Sequence, residues 1–186
     1  AEEEVARDFL CFGGADGVVV VCDATCLERS LNLVLQTMEI TDRVVVCVNL
    51  MDEAAKKHIR IDLAKLADGL GVPVVGTSAR SHRGLEELMD KAAAVASGRP
   101  ARPADVRYTG PIEEAIGLLQ PLVEPLVAGK LPARWTALRL LEGNETLLRS
   151  IDAHIGLCLQ EAEGVAEALE QARQRLEQAG LTRERL

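Results

Sequence analysis

Three short runs of β-branched residues lie in the first half of the chain. They are Gly17-Val18-Val19-Val20-Val21-Cys22-Asp23, Arg43-Val44-Val45-Val46-Cys47-Val48-Asn49 and the shorter Val72-Pro73-Val74-Val75-Gly76. None alternates apolar with polar, which is the pattern of strands buried on both faces of a parallel sheet. Helical periods separate them. Leu27, Leu31, Val34, Leu35 and Met38 recur at helical spacing behind a candidate capping box, Thr25-x-x-Glu28. Asp62 to Leu70 reads as a second amphipathic helix, stopped by Gly71. Gly84 to Ala96 reads as a third, with Leu85, Leu88 and Met89 inward. Strand and helix in alternation imply right-handed crossovers and a parallel α/β sheet.

The pattern changes beyond Ser97-Gly98-Arg99-Pro100-Ala101-Arg102-Pro103, a linker by composition. Pro111 to Val127 predicts a helix bent or broken at Pro121 and Pro125. Pro132 to Glu142 predicts another, with Trp135, Leu138 and Leu141 on one side. After Gly143-Asn144 a long helical stretch runs to about Gln178, with a kink near Gly164. The expected organisation is a partial α/β domain over residues 1–98, a linker over 99–104 and a small all-α helical domain over 105–186.

Composition narrows the functions available. Hydrophobic residues make up 48% and charged residues 27%, which is a globular balance. Aromatics are only 2%, so the core must be built from Leu, Val, Ile and Ala. The net charge of −8 argues against a general nucleic-acid surface, which needs a basic face to displace counterions. No apolar run approaches the roughly 18 residues that span a bilayer. Ala1-Glu2-Glu3-Glu4 lacks the basic end of a signal peptide. Cys11, Cys22, Cys26, Cys47 and Cys158 form no C-x-x-C pair and read as reduced thiols that pack as small hydrophobes. His58, His82 and His154 are too far apart in sequence to suggest a metal cluster and read as surface residues.

Candidate chemistry collects at the strand ends, where ligands of open parallel sheets sit. Three polar clusters fall there: Asp23-Ala24-Thr25, Asn49-Leu50-Met51-Asp52 and Thr77-Ser78-Ala79-Arg80. Asn-x-x-Asp suits guanine. That base presents two adjacent donors, N1–H and the 2-amino group, and one carboxylate, Asp52, can accept from both. Adenine offers a lone pair at that edge, and leaving a buried polar group unpaired costs about 1–3 kcal/mol. Asn49 can hold N7, Leu50 can lie against the purine face, and the Ala79 N–H suits O6 with Ser78 bracing the turn. Asn-x-x-Asp is a weak signal by itself, because both residues are common in turns. Directly after a buried strand, with Ser-Ala-Arg after the next strand, it becomes specific.

These residues resemble the fourth and fifth guanine-binding motifs of small GTP-binding domains. The resemblance is closer to the ferrous iron transport protein B (FeoB) family, in which Asn-Met/Leu-x-Asp replaces Asn-Lys-x-Asp; Leu50 stands in the lysine place. Val5-Ala6-Arg7-Asp8-Phe9-Leu10, Val21 to Arg29, Pro73 to Arg80, Val106-Arg107-Tyr108 and Arg134-Trp135-x-Ala137-x-Arg139-Leu140-Leu141-Glu142-Gly143 are similar to the family's sequence as well. The resemblance implies an incomplete P-loop-type G domain carrying the fourth to sixth strands, followed by the helical domain. It implies nucleotide-binding residues Asn49, Leu50, Asp52, Ser78, Ala79 and Arg80, with GTP or GDP as ligand. It further implies a place on the inner face of the bacterial cell membrane, joined to a permease for Fe²⁺.

The 186 residues contain no G-x-x-x-x-G-K-[ST], so no phosphate-cradling loop is expected within them. The switch I threonine and the Asp-x-x-Gly that organises Mg²⁺ are missing too, and by resemblance Ala1 falls inside the second switch helix. The sequence is therefore expected to be a fragment that binds nucleotide weakly, needs the complete domain for Mg²⁺ and does not hydrolyse GTP. The missing first strand would lie beside Gly17–Asp23, baring an apolar edge open to the absent half of the domain or to a second copy. Two alternatives stay open: another soluble small GTPase with a helical tail, and a non-enzymatic interaction module.

Overall fold

A computed structural model describes residues 2–98 and 106–181. They divide into two compact units, one from Gly13 to Val106 and one that joins the first helix, α1 (Glu2–Phe12), to the residues from Arg107 onward. The pattern of strands and helices predicts one domain over residues 1–98; the contacts of α1 group it with the helical residues instead. The expected linker over 99–104 lies outside the described residues.

The α/β unit is built on three parallel strands in the order β1-β2-β3: β1 (Val18–Asp23), β2 (Val44–Asn49) and β3 (Val74–Gly76). Helices α2 (Leu27–Ile40), α3 (Met51–Lys56) and α4 (Leu63–Leu70) share one face, where Val20, Cys22, Val34, Val44, Val46, Val48, Ala54 and Leu70 form a core. On the other face α5 (Leu85–Ala96) brings Val95 and Leu88 against Val45 and Val75. Both faces of β2 are thus covered, which is why its Val-rich run does not alternate. In β1 the alternate residues Val19 and Val21 stay 40% and 60% exposed.

Two local expectations change. The Thr25-x-x-Glu28 box does not form: α2 starts after Cys26 without a side-chain cap, because the Thr25 N–H is taken by the Asp23 carboxylate at 2.7 Å. Met89 points outward, 69% exposed. It lies beside the helical stripe that Leu88 and Val95 bury and borders an apolar groove of about 280 Å³ next to Gly17, Val18 and Val19. By contrast α4 forms as its sequence predicts, with Asp62 capping through the Lys65 N–H and Gly71 closing it at φ 68°.

The helical unit comprises α1, α6 (Gly110–Val127), α7 (Ala133–Glu142), α8 (Glu145–Ile155) and α9 (Val165–Gln178). Its core holds Ile116, Leu119, Leu140, Leu141, Ile151 and Leu159, all fully buried. Helix α6 continues through Pro121 and Pro125 rather than breaking. Both prolines are exposed, so the carbonyls that lose their N–H partners, four residues earlier, lie on the solvent side. The long stretch expected after Gly143-Asn144 is two helices instead, parted where Gly156 (φ 86°) and Gly164 (φ 76°) take the left-handed conformation. Helix α7 buries Thr136, Ala137 and Leu140 besides Trp135, Leu138 and Leu141, so it is covered on more than one side. Its arginines are engaged: Arg134 forks onto Glu113, and Arg139 pairs with Glu142 and lies over the Trp135 ring.

Candidate functional site

The parallel register sets the site. Val48 pairs with Gly76, so one step further along the two strands Asn49 and Thr77 emerge side by side at the carboxyl rim. Asn49 ends β2, Leu50 turns the chain at φ 65°, and α3 begins at Met51 with Asp52 in its first turn. A non-glycine residue in the left-handed region is uncommon and marks a backbone held by its surroundings. Here the hold comes from the Met51 N–H, which donates to the Thr77 carbonyl at 3.1 Å.

Side chains join the two loops further. The Asn49 Oδ1 accepts from the Thr77 hydroxyl and from the Ala79 N–H, each at 3.1 Å. The Ser78 Oγ, buried in the turn, accepts from the Asp52 N–H at 3.2 Å. Ser78 and Arg83 exchange backbone hydrogen bonds at 3.0 and 3.3 Å, which closes the turn. Gly84 follows at φ 76°, and a Cβ there would lie 2.3 Å from the Gly76 carbonyl oxygen. Only glycine permits that approach.

Asn49, Asp52, Ser78 and Ala79 are therefore one bonded cluster. Leu50 stands beside it, 38% exposed. Arg80 is exposed in the single helical turn Ala79–Ser81 and takes no part in these bonds. The third polar cluster turns onto its own loop: the Asp23 carboxylate accepts the Thr25 N–H. That backbone bond, followed by the Thr25 side chain, holds its pKa below the ordinary value against a small opposing effect of burial. The Ala24 N–H reaches the Asn49 carbonyl at 2.9 Å, so β1 braces the same residue from behind.

Two residues support the cluster: Thr77, which the sequence places in its strand-end cluster without a role, and Cys47, which the motifs do not include. Cys47 lies 3.2 Å from the Thr77 hydroxyl, and both are buried. The signal was available: Cys47 and Asn49 are two apart on a strand and so share a face. Nearby Cys22 is raised to about 11 by burial, with Cys47 adding to the effect. The described cysteines are all free thiols.

The chemistry this cluster offers is directional. Both donors to the Asn49 oxygen lie on the protein side, so the amide N–H₂ group is turned away from them. Among the described residues none donates to the Asp52 carboxylate. The rim thus carries an amide donor and a carboxylate acceptor on adjoining loops. Among the described residues no group of three or more His, Cys, Asp or Glu is placed to hold a metal ion. Among those residues, too, no helix is long and apolar enough to cross a membrane.

A parallel sheet with helices on both faces, linked strand-end loops of this kind and a following helical unit define part of a G domain with a helical domain appended. Comparison with known proteins gives the family. The model for ferrous iron transport protein B matches residues 1–92, and the model for the FeoB cytosolic helical domain matches residues 108–184. The chain belongs to the FeoB family. It is 36% identical over 140 residues to an Fe(2+) transport protein A/FeoB fusion protein of Porphyromonas gingivalis, matching 73% of this chain and 17% of that protein. It is 32% identical over 146 residues to Fe(2+) transporter FeoB of Escherichia coli K12, matching 77% of this chain and 18% of the transporter. The chain thus spans less than a fifth of these relatives. Among solved structures, a mutant S. thermophilus NFeoB bound to mGDP superposes with a TM-score of 0.82 at 31% identity, covering 98% of this chain and 67% of that one. The cytosolic domain of T. maritima FeoB in a GDP form gives 0.70 at 29% identity, covering 95% and 70%.

Proposed function

We propose that these residues form the base-reading part of a guanine-nucleotide-binding domain on the cytoplasmic side of an FeoB-type ferrous iron transporter. The observation that carries this is the Asn49 oxygen bonded to both Thr77 and Ala79. It turns the amide N–H₂ toward a ligand at N7, while Asp52 is left to accept from N1–H and the 2-amino group. Leu50 lies against the purine face, and Arg80 flanks the site. The Ala79 N–H, assigned to O6 on sequence grounds, is shared between the base and Asn49. Support comes from the relatives, which are named as Fe(2+) transporters, and from structural neighbours bound to GDP or GMPPNP.

By themselves these residues bind GDP or GTP weakly and do not hydrolyse GTP. They carry no phosphate-cradling loop, and base contacts alone supply only part of nucleotide affinity. Mg²⁺ belongs to the complete domain. The outer edge of β1, with Val19 and Val21 exposed, is the pairing surface for the remainder of the G domain or for a second copy of the chain. The membrane permease of the parent transporter is the downstream partner, and nucleic acid is not one.

Titration of a fluorescent GDP into the chain, with Asp52→Asn alongside, tests the reading. Wild type should favour guanine over adenine nucleotide, and Asp52→Asn should lose about tenfold or more for guanine while gaining xanthine nucleotide. Binding indifferent to Asp52 would sink the base assignment, and Mg²⁺-dependent GTP turnover by the purified chain would overturn its inactivity.

A further inference from the structure

We infer that Thr77, backed by Cys47, is a positioning residue that fixes which end of the Asn49 amide faces the nucleotide. The inference rests on the guanine reading proposed above and adds a cause for its specificity.

Bonding alone settles the orientation. The Ala79 N–H can only donate, so the Asn49 atom 3.1 Å from it must be the amide oxygen. The Thr77 hydroxyl lies 3.1 Å from the same oxygen and must also donate, because an amide oxygen only accepts. Its single hydrogen is then used. The remaining contact of that hydroxyl, 3.2 Å to the Cys47 sulfur, is therefore made by the thiol hydrogen pointing to the Thr77 oxygen. The order runs Cys47 S–H to Thr77 O–H to Asn49 C=O, and reversing the amide would break it at the last link.

Position makes this order matter. Thr77 is 1% exposed and Cys47 4%, so water does not stand in for either partner. Asn49 itself is only partly buried at the rim. With the Ala79 N–H alone behind it, its amide would be held by one bond instead of two and would more often turn its oxygen toward the ligand, lone pair against the lone pair of N7. The buried pair thus selects one of two nearly isosteric amide states before any nucleotide arrives.

The test compares two nucleotides and two substitutions, with a ligand-free measurement beside them. Thr77→Val, which keeps the shape and removes the hydroxyl, should weaken GDP binding by roughly three- to tenfold. It should leave 7-deaza-GDP, which lacks the N7 acceptor, unchanged. Thr77→Ser should restore GDP binding, and Cys47→Ala should act in the same direction as Thr77→Val but less. Without nucleotide, the Asn49 side-chain amide should give one ordered pair of NMR signals in wild type and Thr77→Ser, and a mobile amide in Thr77→Val. Equal weakening of GDP and 7-deaza-GDP would overturn the inference by showing a general loss of structure. So would an Asn49 amide as ordered in Thr77→Val as in wild type. A chain whose nucleotide binding ignores Asp52→Asn would refute the base reading, and the ligand-free amide measurement would still decide whether Thr77 positions Asn49.

Discussion

Thr77 in the α/β unit and Thr136 in the helical unit are both buried, and both hydroxyls donate, but to partners at different ranges. Thr136 returns its hydrogen to the Pro132 carbonyl at 3.0 Å, four residues back on the same helix. That bond is local, and it satisfies a group at the start of α7. Thr77 reaches Asn49, 28 residues away on another strand. In the helical unit the buried hydroxyl closes its own turn, and the tertiary polar bonds, such as Arg134 to Glu113, come from half-exposed side chains around a core of Leu, Ile and Trp. The α/β unit places buried polar atoms where two chain segments meet, so its rim geometry depends on bonds that a change of one atom can remove. The purine selection proposed for this rim would need the second kind of interior.

The contrast breaks most severely if the helical unit does not depend on packing. Leu140 is fully buried in α7, and Leu140→Ala should cost about 2–5 kcal/mol, mostly by leaving a cavity the neighbouring helices cannot close. A urea denaturation midpoint reads the loss. A cost below about 1 kcal/mol would mean that the core of α6, α7 and α9 relaxes freely, contrary to the tight burial of Ile116, Leu119 and Leu141.

Two left-handed glycines sharpen the comparison at intermediate size. Gly84 and Gly156 have similar backbone angles, φ 76° and 86°, but a Cβ at Gly84 would meet the Gly76 carbonyl at 2.3 Å whereas one at Gly156 would meet nothing within 4 Å. Gly156→Ala should cost about 1 kcal/mol of backbone strain. Gly84→Ala should cost about 3 kcal/mol, because displacement of the strand end adds to that strain. Denaturation curves give both values, and amide shifts of Ser78 to Arg83 should move only with Gly84→Ala. Equal costs would show that the turn after β3 is soft and does not hold the rim.

What the residues reveal in advance follows the same division. The Val runs predicted all three strands, although cover on both faces explains the composition of β2 and not of β1, where Val19 and Val21 are exposed. Asp62 and Gly71 marked the ends of α4 through capping chemistry confined to a few residues. Failures came where a neighbour decided. Met89 carries an inward-looking spacing, yet the apolar groove beside β1 leaves it exposed. Thr25-x-x-Glu28 has the letters of a capping box, but the Asp23 carboxylate claims the Thr25 N–H first. The prolines of α6 imply a bend or a break, and the helix runs unbroken through both exposed positions. At the site, Asn49, Asp52, Ser78 and Ala79 were legible from motif and strand-end position. Thr77 and Cys47 acquire their meaning only from the register that sets β3 beside β2.

The smallest expected effect concerns the ion pair that anchors α6 in the helical unit. Arg134 forks onto both Glu113 oxygens at 2.9 and 2.6 Å, and the Tyr108 N–H donates to the same carboxylate at 2.8 Å. The arginine's hydrogen bonds, then that backbone N–H, bring the Glu113 pKa from 4.5 down to about 2. A lowered carboxylate stabilises the fold only while it is ionised, so its contribution is complete above about pH 4.5 and fades as the pH falls toward 2. Both side chains keep about a third of their exposure, 37% for Arg134 and 30% for Glu113. Solvent screening therefore limits the gain to about 1 kcal/mol. Glu113→Gln keeps the shape and removes the charge. Its urea midpoint should fall below wild type by a constant amount from pH 7 to 5, and the two curves should converge by about pH 2. A gap of the same size at every pH would mean that shape and hydrogen bonding hold this corner, and that the charge of Glu113 contributes nothing.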